Sequence, residues 1–276
     1  MKKIKFISLN ILLLGSILFS QQRATLFPAE LNIKPFVANF LEPKVGFMFM
    51  LGKNSLRLDI GNSKDFFHYA DGEKTYSFGG DFFTYTKLRG EKDFHFPVDA
   101  VDYLFGLNGG IKIKNTNYEC GMRMRLSHIS AHFVDGHFDK LSGSWRNGRT
   151  PRVYSREFVE VTPFYSMNDF RLYFGYAYLF HVVPKEIGKN VFQIGGEKFF
   201  DLPFANYFFP FITYDLRVTK LGKYSGTNSL SAGVKVGNKN TGGFSFMINY
   251  FSGNSVHGEY FDYKEKYISF GMNIDL

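Results

Sequence analysis

Acyl-transfer chemistry is within reach of one short stretch, His128-Ile129-Ser130, if Glu157 joins it. A serine hydroxyl is a weak nucleophile until a neighbouring base takes its proton, and an imidazole base works best when a carboxylate fixes its tautomer. Ser130 would attack an ester carbonyl, His128 would take the proton, and Glu157 would orient the imidazole. His132 and Ser155 would flank the reacting centre as substrate-binding residues.

The local pattern brings these residues to one surface. Met122, Met124 and Leu126 alternate with Arg123, Arg125 and Ser127, so even positions share an apolar face. His128, Ser130 and His132 continue that face. Across a long loop, Val153, Val159 and Val161 set an odd-numbered apolar face that Ser155 and Glu157 share, while Arg156 and Glu160 oppose it. Paired as antiparallel neighbours, like faces must meet, and the loop centre leaves two registers. One sets His128 opposite Glu157 and Ser130 opposite Ser155; the other sets His128 opposite Ser155.

The elements that must position this cluster are strands. Period-two alternation recurs through most of the chain. Ile268, Phe270, Met272, Ile274 and Leu276 oppose Tyr267, Ser269, Gly271, Asn273 and Asp275, and residues 170–180 behave alike. The pattern predicts strands near 44–52, 55–62, 77–87, 99–113, 117–132, 152–165, 170–181, 190–200, 207–220, 227–238, 243–252 and 266–276. The predicted fold class is all-β, a transmembrane antiparallel β-barrel over 44–276 with twelve strands. Ten strands are the alternative, because 63–76 reads as a long link at the end where the other links are short. A secreted β-sandwich also alternates; aromatic outer faces along whole strands, opposed by charges and glycines, favour the barrel. The arginines Arg123, Arg125, Arg156 and Arg171 are then expected to line a wet lumen with Glu160, Glu197 and Asp215.

At the start, a basic Met1-Lys2-Lys3-Ile4-Lys5 and an apolar run from Ile11 to Phe19 read as a signal peptide over 1–20. Residues 21–43, with Pro28, Pro35 and Pro43, read as a periplasmic N-terminal arm. Formal net charge is +8, and losing Lys2, Lys3 and Lys5 with the signal leaves 8 − 3 = 5. That modest excess on an exported chain argues against nucleic acid and points to phosphorylated lipid headgroups. Cys120 is the only cysteine, so no intramolecular disulfide forms. The sequence names no cofactor, and no set of residues has the spacing of a metal site.

Depth places the cluster at an interface. His128 lies eleven residues past Asn117, and a tilted strand climbs roughly 2.4 Å per residue, or about 26 Å, to the outer edge of an apolar band.

His128-Ile129-Ser130 resembles the active-site pairs of outer membrane phospholipase A and of lipid A deacylases, in the latter of which a glutamate completes the set. Ala131 stands where both families usually carry an asparagine. A longer resemblance is to an uncharacterised family of exported bacterial outer-membrane barrel proteins. It rests on Arg125-Leu126-Ser127-His128-Ile129-Ser130-Ala131-His132, Tyr154-Ser155-Arg156-Glu157, Arg171-Leu172-Tyr173, Tyr178-Leu179-Phe180-His181 and His257-Gly258-Glu259-Tyr260-Phe261. That resemblance implies an outer-membrane barrel and leaves the activity open. The ending through Ser269, Gly271, Ile274 and Leu276 resembles the C-terminal signal read by the outer-membrane insertion machinery, which would be a partner alongside outer-membrane lipids. Two function classes stay open: an envelope lipid esterase, and a noncatalytic barrel serving as a narrow pore or structural protein.

Overall fold

The computed structural model describes residues 23–204, 206–239 and 241–275. The signal segment expected at 1–20 and the terminal Leu276 lie outside the described residues. Twelve long strands build a ring: β1 Val45–Met50, β2 Ser55–Asp71, β3 Lys74–Arg89, β4 Val98–Lys114, β5 Glu119–Phe133, β6 Tyr154–Met167, β7 Phe170–Val183, β8 Asn190–Phe199, β9 Phe208–Leu221, β10 Lys223–Gly237, β11 Gly243–Asn254 and β12 Lys264–Asp275. Each pairs antiparallel with its neighbour in sequence, and β12 pairs with β1 from Ser269↔Met50 to Ile274↔Val45. Closure leaves the ring no free edge and excludes both the sandwich and the ten-stranded alternative.

The long link expected at 63–76 is a strand with an irregularity. β2 runs on to Asp71, and its register against β3 shifts between Asp65 and Phe67. A bulge inserts one unpaired residue and inverts the alternation beyond it, which hides the strand from a period-two reading. The true turn is Gly72-Glu73, where Gly72 has φ 59°. Similarly, the loop expected at 221–226 shrinks to Gly222, with φ 68° and Leu221 paired to Lys223. Both positions need the left-handed backbone that glycine adopts without strain.

Outward residues form an apolar girdle: Phe82, Phe105, Leu126, Phe174, Ile194, Ile212, Ile248 and Phe270 are all exposed. An apolar exterior on a closed sheet is the architecture of a membrane-spanning barrel. The longest loops, 134–153 and 255–263, lie at one end together with the tight Gly222 turn, and the opposite end carries the short turns at 72–73, 115–118 and 168–169 and the longer link 200–207.

The interior corrects two expectations. Residues 31–43 do not hang outside the barrel as an arm; they fold into the lumen. Phe36 is fully buried, with the Arg123 and Arg171 guanidinium carbons 4.7 and 4.6 Å from its ring centre. Glu42 accepts hydrogen bonds from Arg123 at 2.5 and 2.9 Å and from Arg125 at 2.9 Å. Arg171 donates to the Lys34 and Pro35 carbonyls and pairs with Glu197. The reason is charge balance: inward arginines need carboxylates, and the arm brings one. Nor is the lumen wet throughout. Towards the long loops Phe83, Leu104, Ile129, Phe158 and Phe251 pack with Leu41 of the arm into one apolar cluster. A cavity beside the arm, against Asp81 and Arg123, measures about 10 Å³, room for about one water.

The loop 255–263 caps this end. Asp102 and His257 are fully buried, with His257 Nδ1 2.8 Å from Asp102 Oδ2 and the Gly258 amide donating to Asp102 Oδ1 at 2.6 Å. Beside them Tyr260 donates to Asp99 Oδ2 at 2.5 Å, and His137 Nδ1 lies 2.8 Å from Asp99 Oδ1. Asp102→Ala orphans a buried amide and a buried imidazole, a loss of about 2 kcal/mol or more for the cap. Limited proteolysis at 255–263 should be faster in that variant than in wild type, and an unchanged rate would show that the cap is held by other contacts.

Candidate functional site

The β5–β6 pairing adopts the first of the two allowed registers. His128 faces Glu157 and Ser130 faces Ser155. Met124 and Leu126 on β5 and Val159 on β6 are exposed, while Arg125, Ser127 and Ile129 are buried, so the even face of β5 and the odd face of β6 both look outward. His128, Ser130, His132, Ser155 and Glu157 therefore share the outer surface, towards the long-loop end. The Phe105 ring lies 4.9 Å from the His128 ring and walls one side.

Glu157 is the hub. His128 Nδ1 lies 2.5 Å from Glu157 Oε1, and the Ser155 hydroxyl donates to the same oxygen at 2.8 Å. With Nδ1 donating to a carboxylate, the imidazole keeps its proton there and presents Nε2 as the basic lone pair. His128 and Glu157 side chains are 28% and 26% exposed, so the pair is partly shielded yet reachable.

A second histidine was missed by the sequence reading. His181 Nδ1 meets Glu157 Oε2 from β7. Strict alternation would have turned His181 inward with Tyr173, Ala177 and Leu179, which are buried. Instead the β6–β7 register shifts between Leu179 and His181, so that Leu179 faces Phe158 and His181 faces Glu157. Bulges re-aim side chains in this way. Phe180 and His181 are consecutive exposed residues between buried Leu179 and Val182, which is the mark of the shift and is not visible in residue types alone.

No hydrogen bond joins His128 to Ser130. Same-face neighbours on a strand are roughly 6.5–7 Å apart at Cα, a span that a turned imidazole and a hydroxymethyl group can bridge. His132 is exposed and touches only the Tyr103 ring, 6.2 Å centre to centre. The backbone around Ser130 pairs with β4 on one side and β6 on the other. An oxyanion donor here therefore has to be a side chain; Ser155 sits directly across the ladder, and its one hydroxyl hydrogen would have to leave Glu157 to serve. Among the described residues no group of three or more histidine, cysteine or acidic side chains is arranged to hold a metal ion.

Residues 98–275 match the family model described as "Protein of unknown function (DUF1207)". The chain belongs to this family. The DUF1207 match includes β4 to β12 and every residue of the outward cluster, but the family description names no reaction. No curated protein matches the chain. Solved structures similar to it include the β domain of the Bordetella autotransporter BrkA, at 10% identity and TM-score 0.43, covering 84% of this chain and 97% of that one. The CymD monoaromatic hydrocarbon channel matches at 9% identity and TM-score 0.38, covering 83% and 76%. OmpT, an outer membrane protein of Vibrio cholerae, matches at 12% identity and TM-score 0.33, covering 84% and 94%.

Proposed function

We propose that this barrel is exported by the segment 1–20, is inserted in the outer membrane through its C-terminal strand, and hydrolyses ester-linked acyl chains of envelope lipids at the outward cluster. The observation that supports the reading is the in-register His128–Glu157 pair with Ser130 on the same outward face, next to the apolar girdle. Polar side chains facing lipid are costly away from the interface. His128, Ser155 and His181 all bonded to Glu157 there call for a reason beyond packing.

In the reaction Ser130 Oγ attacks the ester carbonyl as its proton passes to His128 Nε2. The proton then goes to the departing alcohol, and a water activated by the same imidazole releases the acyl group from Ser130. Glu157 stays ionised and holds the imidazolium. Ser155 and His132 contact the substrate carbonyl and headgroup.

A noncatalytic pore fits less well, because the arm and the apolar cluster fill the lumen. The deciding experiment is mass spectrometry of phospholipids and lipid A from cells expressing wild type or Ser130→Ala at matched levels of inserted barrel. Loss of acyl chains that depends on Ser130 supports the reading. Identical profiles in wild type, variant and empty cells would remove it.

The orientation has its own check. Leu141 is 99% exposed at the tip of the β5–β6 loop. A protease site inserted at 141–143 should be cut on intact cells, and one in the β6–β7 turn at 168–169 should be protected. The reverse pattern would place the cluster at the inner leaflet.

A further inference from the structure

Along the long-loop rim most arginines already have carboxylates. Arg89 pairs with Glu91 at 2.7 Å, Arg146 with Asp139 at 3.6 Å, and Arg149 and Arg152 share Asp262 at 3.0 and 3.2 Å. One sector differs. Lys185 and Lys189 on the β7–β8 loop, and Lys220 and Lys223 beside the β9–β10 turn, are all exposed, and none has a carboxylate partner. The two segments are tied together: the Gly188 amide donates to the Lys220 carbonyl at 2.7 Å, and Ile187 bridges Leu221. Gly188 also packs on Lys220, where an added Cβ would stand 2.6 Å from the Lys220 Cβ. The four lysines thus stem from one tied corner, Lys220 in the outward phase of β9 and Lys223 opposite Leu221 at the turn, with Glu186 the acidic residue among them.

Height and facing decide what such a corner meets. Lys220 ends the outward row of β9 above Ile212 and Tyr214, both exposed, with its ammonium 6.0 Å from the exposed Tyr224 ring. Lysines and tyrosines crowning an apolar girdle sit at headgroup level, stems along the apolar surface and charges in the polar layer. A lysine is a point charge well suited to phosphate, and clustered lysines at a membrane surface attract anionic headgroups.

We infer that Lys185, Lys189, Lys220 and Lys223 form a binding corner for the phosphate groups of membrane lipids in the leaflet at the long-loop end. The corner also bears on the outward cluster. His181 lies four residues before Lys185, and β7 and β9 are two strand spacings apart, on the order of 10 Å. A lipid whose phosphate is held at the lysines would lie across the rim beside Glu157 and His128. The inference rests on the membrane reading and not on the hydrolytic one.

The test uses the full chain in neutral detergent micelles, with heat-modifiable migration confirming that each variant is folded. Lipid A with two phosphates, lipid A stripped of phosphate, and inorganic phosphate are titrated in turn, with retained ligand counted by native mass spectrometry. The variant carries Lys185→Gln, Lys189→Gln, Lys220→Gln and Lys223→Gln. A control carries Lys53→Gln, Lys92→Gln, Lys140→Gln and Lys264→Gln, removing equal charge from the rest of the rim. Wild type and control should bind phosphorylated lipid A at least tenfold more tightly than the variant, with affinity falling as salt rises. Stripped lipid should bind all three alike. Equal binding by variant and wild type, an equal loss in the control, or inorganic phosphate binding as tightly as the lipid would each overturn the assignment. Because none of these readouts involves hydrolysis, they fail or succeed independently of Ser130.

Discussion

Glu42→Ala is expected to destabilise the barrel by about 3–5 kcal/mol, the usual cost of leaving a buried charge without its partner. Glu42 is 1% exposed and bonded to both Arg123 and Arg125. Arg125 would keep Asp81 at 3.0 Å and Glu160 at 3.8 Å. Arg123 would keep the Phe36 ring and no carboxylate. The loss therefore falls on Arg123 and on the arm that Glu42 anchors. Urea unfolding followed by gel mobility should show a lower midpoint, and planar-bilayer recordings should show a conductance that wild type lacks. Glu42→Gln, which keeps an acceptor but not the charge, should fall between the two. An unchanged midpoint with a silent bilayer in Glu42→Ala would mean that the arm is held by its apolar contacts alone.

Ser130→Ala should reduce release of fatty acid by roughly a thousandfold or more, and His128→Ala should be about as damaging, since nucleophile and base act as one unit. Glu157→Ala should be milder by about two orders of magnitude, because the carboxylate only orients and stabilises the imidazole. His181→Ala offers a sharper discrimination. His128 and Ser155 share Oε1 of Glu157 whereas His181 takes Oε2. Removing His181 leaves the His128–Glu157 bond in place, so hydrolysis should persist. Purified variants in mixed micelles, assayed for released acyl chains at equal amounts of folded barrel, give all four values. A His181→Ala loss as deep as that of His128→Ala would make His181 the working base and would require the roles to be reassigned.

Much of this was readable from residue order because a barrel wall obeys one rule. Met122, Met124 and Leu126 fix the phase of β5, and Val153, Val159 and Val161 fix that of β6. Parity and the loop centre then limited the pairing to two registers, one of which the structure adopts. What the rule could not carry was any departure from it. The shifts at Asp65–Phe67 and Leu179–His181 each change phase by one residue. A reader following alternation therefore lost the end of β2 and had no ground for placing His181 beside Glu157. The arm was misplaced for another reason. A proline-punctuated segment looks the same whether it lies outside a barrel or within it. One sign was present: Phe36 to Glu42 is a mostly apolar stretch, broken by Asn39, that ends in a lone acid.

The path of that arm has a consequence for assembly. The short strand Ala24–Leu26 pairs with Phe67, His68 and Tyr69 of β2 at the short-turn end. β1 begins at that same end, where Val45 pairs with Ile274. Between these two anchors the chain climbs into the lumen and comes back. Over the described residues it is a bight of rope pushed into a tube. The seam between β12 and β1 can close before the bight enters, and the bight can withdraw without the seam opening. Nothing in the connectivity ties the order of the two events together.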